Sequence, residues 1–88
     1  MAKVEIYTSP FCGFCYRAKG LLENKGVDFD EIDITFHPSR HSEMLGRANG
    51  QRTVPQIFVD GEYLGDEETM AALEKRGELD AALKIASA

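Results

Sequence analysis

With 88 residues the chain has room for one hydrophobic core, since domains run ~50–200 residues, so residues 1–88 are expected to form a single domain. Hydrophobic residues at 43%, charged residues at 28% and only three prolines exclude disordered and collagen-like classes. Ten Lys and Arg against fifteen Asp and Glu leave a formal charge of −5, the wrong sign for a nucleic-acid partner, and no apolar run approaches the ~18 residues of a membrane span.

The cations are scattered from Lys3 to Lys84, so no polybasic membrane patch forms. The segment Met1-Ala2-Lys3-Val4-Glu5 lacks the apolar stretch of a secretory signal, and the expected compartment is the cytoplasm. In chain order, Val4 and Ile6 alternate with Lys3, Glu5 and Tyr7 as in a strand, which Thr8-Ser9-Pro10 ends. From Phe14 the apolar set Phe14, Cys15, Ala18, Leu21 and Leu22 follows one helical face, with Gly26 as the C-terminal stop. Val27 and Phe29, then Ile32 and Ile34, alternate on two phases, which predicts a second strand with a bulge or an early end, parallel to the first.

Pro38 and Ser39 open a second helix with Met44, Leu45 and Ala48 inward and a stop at Asn49-Gly50. The apolar run from Val54 to Val59 is a strand, and Asp60-Gly61 is a two-residue turn that folds Glu62-Tyr63-Leu64 back as a hairpin. Asp66 is the predicted N-cap of a third helix, with Glu67 and Glu68 in its first turn, Met70 and Leu73 inward and Gly77 at its end. Leu79, Ala82, Leu83 and Ala86 mark a last helical turn or two. The order β-α-β-α-β-β-α is that of one α/β domain.

Cys12-Gly13-Phe14-Cys15 is the chemical motif, and it straddles the first strand-to-helix junction. A sulfur at the helix start meets unpaired N–H groups and the positive end of the helix dipole, which favours a thiolate at Cys12. Cys15, one turn in and on the inward face, is placed to resolve a mixed disulfide on Cys12. A structural zinc site needs four ligands, and there is no second cysteine pair. His37 and His41 have i, i+4 spacing, but Pro38 between them disturbs that geometry, so both are read as solvated.

Val4-Glu5-Ile6-Tyr7-Thr8, the CGFC motif, Thr53 to Asp60, Tyr63-Leu64-Gly65 and the closing Leu73 to Asp80 together resemble the glutaredoxins along nearly the whole chain. The resemblance implies a thioredoxin-like α/β fold: a four-stranded mixed sheet with helices on both faces, and a cis peptide before Pro55. It also implies a glutathione-linked thiol-disulfide oxidoreductase acting on disulfide-containing or glutathionylated proteins, with Cys12 and Cys15 catalytic. Glutathione is then the co-substrate, with Phe14, Arg52, Thr53, Val54, Pro55, Gly65, Asp66, Glu67 and Glu68 as its binding residues. The backbone of Val54 would pair with the glutathione cysteine, and the γ-glutamyl end would lie at the helix opening at Asp66.

The chain departs from the family pattern at three places. Gly13-Phe14 stands where dithiol glutaredoxins usually have Pro-Tyr and is similar to the monothiol, iron-sulfur-carrying branch, which lacks Cys15. Ser9 stands where a cation often precedes the first cysteine, and Gly65-Asp66-Glu67-Glu68-Thr69 lacks the second glycine and the final acid of the usual segment. The alternative function is therefore a carrier dimer that bridges a two-iron two-sulfur cluster through Cys12 of each chain and two glutathione thiols. Otherwise the chain is expected to be a monomer.

Overall fold

The computed structural model describes residues 2–85. Eight elements follow in order: β1 (Val4–Thr8), α1 (Gly13–Asn24), β2 (Phe29–Asp33), α2 (Pro38–Arg47), β3 (Gln56–Val59), β4 (Glu62–Gly65), α3 (Glu67–Lys75) and α4 (Leu79–Ala82). They build one mixed sheet in the order β2-β1-β3-β4, in which β1 and β2 run parallel and the other neighbours antiparallel. The predicted order of elements holds, with the last helical turns forming the short α4; Ala86 lies outside the described residues.

Both faces of the sheet are covered, and this explains where the strand patterns mislead. On one face Val4, Ile6, Ile57 and Val59 pack with Ala18 and Leu22 of α1, Met70 of α3, and Leu79 and Leu83 at the C-terminal end. On the other, Tyr7 and Phe58 pack with Met44 and Ala48 of the α2 segment. Tyr7 alternates with the apolar residues of β1 as a solvent-facing residue would, yet it is fully buried, because α2 roofs the second face. Its ring meets Phe58 edge-on with centroids 5.5 Å apart, and Phe58 meets Tyr63 at 5.3 Å, contacts worth ~0.5–1.5 kcal/mol each beyond burial.

Of the bulge or early end expected in β2, the structure has the early end: the strand stops at Asp33, before Ile34, and carries no bulge. Val4 to Thr8 pair in unbroken register with Phe29 to Asp33, and Val27 lies before the strand. The irregularity falls instead between Ile57 and Phe58 opposite β4. The Asp60-Gly61 hairpin is as predicted: both residues have positive φ, 52° and 82°, the pair a type I′ turn requires. Asp60 also accepts from the Lys3 backbone N–H at 2.8 Å and pairs with Lys84 at 2.8 Å, which ties the turn to both ends of the described chain.

A polar network under α2 joins three distant segments. Arg47 donates to Glu5 Oε1 at 2.9 Å and to the Tyr7 hydroxyl at 2.8 Å, while its guanidinium lies 4.1 Å from the Phe58 ring centre. The Tyr7 hydroxyl in turn donates to Glu43. Burial and the Glu43 hydrogen bond push the Tyr7 phenol up, and the Arg47 hydrogen bond holds the Glu5 carboxyl below the usual carboxylate range. The network clamps α2 to β1, so that the loop leaving α2 reaches β3 beside the two cysteines.

Candidate active site

The loop from β1 to α1 turns sharply at Phe11, whose φ of +59° is unusual for a bulky side chain and leaves the ring fully exposed. Cys12 follows in extended backbone as the N-cap of α1, and its Sγ accepts the Cys15 N–H at 3.1 Å. Sulfur thus replaces the usual oxygen cap, which satisfies one of the donors a helix start leaves open. Cys12 is half-buried and its Sγ lies 3.8 Å from the Val54 carbonyl, while Cys15 is only 2% exposed. Burial pushes the Cys15 thiol up to about 12, the neighbouring Cys12 sulfur adds to that, and the Ser9 backbone and the Lys19 charge oppose it. No bond joins the two sulfurs in this structure.

The opposing wall comes from the segment before β3. The Val54-Pro55 peptide is cis. Gln56, buried at 1% exposure, donates to the Thr53 carbonyl at 2.9 Å and accepts from the Tyr63 hydroxyl at 2.6 Å, which fixes the carbonyl of the loop from inside the sheet. A cavity of about 250 Å³ lies between this segment and α3, lined by Phe14, Thr53, Val54, Pro55, Asp66, Glu67 and Glu68. Asp66 caps α3: its Oδ1 accepts both the backbone N–H and the hydroxyl of Thr69 at 2.9 Å.

The structure therefore brings seven of the nine expected binding residues to one cavity beside Cys12. Arg52 and Gly65 are not on its wall. Arg52 is exposed, and it is its backbone carbonyl that meets His41 Nε2, at 3.3 Å. Gly65 is buried with φ +139°, where a Cβ would come within 2.7 Å of the Thr69 side chain. Its part is to let β4 pass close beneath the capped start of α3. Phe14, placed by periodicity on the inward face of α1, is instead 55% exposed, because it belongs to the cavity rim, where Arg17 lies 5.0 Å over its ring. Gln56 escaped the sequence reading; a lone amide inside the apolar run of Val54 to Val59 was the signal.

A half-buried sulfur at a helix start, a buried second thiol and a narrow cleft beside a cis-proline segment can carry out thiol-disulfide exchange. A family model described as Glutaredoxin matches residues 4–64. The chain belongs to the glutaredoxin family. Glutaredoxin 3 of Escherichia coli strain K12 is 48% identical over 84 residues, spanning 96% of this chain and all of that protein. The solution structure of glutaredoxin from Brucella melitensis superposes with a TM-score of 0.83 at 43% identity, covering 100% of this chain and 95% of that one. A buckwheat glutaredoxin solved as a glutathione complex shares the fold with a TM-score of 0.83 at 24% identity, over 94% of this chain and 77% of that one. This glutaredoxin is a thiol-disulfide oxidoreductase. No helix among the described residues is long and apolar enough to cross a membrane.

Proposed function

We propose that Cys12 attacks the glutathionyl sulfur of a glutathionylated protein, forming a Cys12–glutathione disulfide and releasing the protein thiolate, which takes up a proton. The reading rests on one observation above all: Cys12 Sγ is the capping acceptor of α1 and lies 3.8 Å from the carbonyl of Val54, a residue of the cavity wall, while Cys15 is buried with its thiol pushed up to about 12. A second glutathione thiolate then attacks the glutathionyl sulfur held on Cys12, giving oxidised glutathione and the free Cys12 thiolate. Alternatively Cys15 closes on Cys12 and expels glutathione. The cavity takes the tripeptide: Thr53, Val54 and Pro55 offer backbone groups to its cysteine, Phe14 covers it, and the open N–H groups of Glu67 and Glu68 meet its γ-glutamyl carboxylate. Asp66, Glu67 and Glu68 meet the ammonium of the same group.

Residues 1–88 work as one cytoplasmic unit, monomeric, with disulfide-containing or glutathionylated proteins as substrates. The test is reduction of a glutathionylated peptide by the C12S and C15S variants. C12S is expected to be inert and C15S to retain turnover; an active C12S or an inert C15S would reverse the assignment.

A second reading, the cluster-bridging dimer, draws on the rim of the site. Cys12 is half-exposed between the exposed rings of Phe11 and Phe14, and open space surrounds Gly13, so a second chain can approach. Among the described residues no three His, Cys, Asp or Glu side chains gather to hold a metal; in this reading the ligands would be Cys12 of each chain and two glutathione thiols. Such a cluster would supply electron transfer or iron-sulfur delivery. The absorption spectrum of protein purified without oxygen decides: visible bands support it, and a colourless monomer rejects it.

A further inference from the structure

His41, expected to be solvated, is half-buried and bonded to backbone. Its partner, the Arg52 carbonyl 3.3 Å away, has no proton to give, so His41 Nε2 is the donor. The chain leaving α2 reverses through Asn49 and Gly50, both with positive φ (56° and 83°), and the Gly50 and Gln51 N–H groups donate to the carbonyls of Leu45 and Ala48 at 2.8 and 3.1 Å. Gln51, Arg52 and Thr53 are then exposed, so packing does little to hold them. Polar tethers hold them instead, on successive carbonyls: His41 takes that of Arg52, and Gln56 takes that of Thr53 at 2.9 Å. The next carbonyl, of Val54, lies 3.8 Å from Cys12 Sγ on the cavity wall.

We propose that His41 is a positioning residue for glutathione: by holding the Arg52 carbonyl to α2 it fixes the Val54 backbone that the glutathione cysteine pairs with. The proposal rests on the reading of this cavity as the glutathione site. A peptide unit is planar, and in the trans Thr53-Val54 unit the N–H points opposite to the carbonyl, so the tether on the Thr53 carbonyl also aims the Val54 N–H. The tether on Arg52 fixes the unit before it. The two anchors come from different parts of the fold. Gln56 belongs to β3, whereas His41 stands on α2, which is itself seated on β1 through Glu43 and Arg47. Without His41 the segment would be free to swing between the glycine turn at Gly50 and the Gln56 anchor, and glutathione would have to order it on binding. A ligand that makes no backbone contact would not meet that cost.

The experiment compares two disulfides in the C15S background, oxidised glutathione and bis(2-hydroxyethyl) disulfide, which presents the same sulfur-sulfur bond with no peptide group. In each case the Cys12 thiolate attacks one sulfur, the bond to Cys12 forms, and the other half leaves as a thiolate. Adduct formation is followed by acid quench and mass spectrometry, and each rate is taken relative to that of free cysteine with the same disulfide. H41L is expected to react with oxidised glutathione about fivefold more slowly than its parent, the scale of one net hydrogen bond, and with the hydroxyethyl disulfide at the parent rate. H41Q, whose amide nitrogen donates and lies as many bonds from the backbone as Nε2, should recover the loss. An H41L protein that keeps the parent rate with oxidised glutathione, one that slows toward both disulfides alike, or an H41Q protein as slow as H41L overturns the proposal. A parent that reacts no faster with oxidised glutathione than with the hydroxyethyl disulfide would instead overturn the reading of the cavity beneath it.

Discussion

Replacing Gly65 by Ala tests how closely β4 and α3 approach at the cavity floor. A Cβ built there would lie 2.7 Å from Thr69 Cβ and Oγ1 and 2.8 Å from Cγ2, about 1 Å inside ordinary carbon contact. Thr69 cannot swing away cheaply, since it is β-branched and its hydroxyl is bonded to Asp66 Oδ1 at 2.9 Å. Backbone held at φ +139° costs a non-glycine residue about 1–3 kcal/mol, and the overpacking adds about 1–3 kcal/mol. The sum, about 2–6 kcal/mol, is large against the ~4–13 kcal/mol expected for a chain of 88 residues. A melt followed by circular dichroism should therefore fall by at least about 8 °C. In a T69G background the clash is gone and only the backbone cost remains, so the loss on G65A should drop by about 1–3 kcal/mol. A G65A protein within ~0.5 kcal/mol of the parent, or an undiminished loss in the T69G background, would refute the close approach as its cause.

Three further outcomes are expected. Alkylation near pH ~6, well below the ~8.5 of a free thiol, should label Cys12 first and reach Cys15 only on unfolding, as peptide mapping will show; early labelling of Cys15 would contradict its burial. R47M should lose about 2–4 kcal/mol in urea unfolding, because it leaves Glu5 and the Tyr7 hydroxyl short of a partner. Glu5 is held below its usual 4.5, so its contribution is present above that pH and lost as pH falls through the folded value; the gap between parent and R47M should therefore narrow in acid below about pH 4. D66N keeps an oxygen acceptor for Thr69 but removes one of three carboxylates that repel the γ-glutamyl carboxylate, while Glu67 and Glu68 still meet its ammonium, so calorimetry should find tighter glutathione binding, with a gain that shrinks in added salt.

Local chemistry was legible in the sequence wherever one segment decided the outcome. The Asp60-Gly61 turn, the Asp66 cap and the glycine stops at Gly26 and Gly77 depend on a few adjacent residues, and each is found where the pattern put it. The site was largely legible too, because Cys12 and the Thr53 to Pro55 segment carry its backbone geometry in two short motifs. What escaped depends on residues far apart in the chain. Tyr7 reads as a surface residue until α2 is known to cover it, and its partners Glu43 and Arg47 lie 36 and 40 positions away. Phe14 follows the helical period yet turns to the rim, since the wall it faces comes from Val54 and Pro55. Arg52 is adjacent to the cavity in sequence but exposed, and sequence adjacency says nothing of side-chain direction.

The assignment of Cys12 as the attacking sulfur is tested most directly by trapping its product. C15S protein, reduced and then exposed to oxidised glutathione, should carry one glutathionyl group, found by mass spectrometry of the proteolytic digest on the peptide containing Cys12, and should return to the free thiol when reduced glutathione is added. A C15S protein that takes up no glutathione, or an adduct on Cys12 that glutathione cannot remove, would contradict the account.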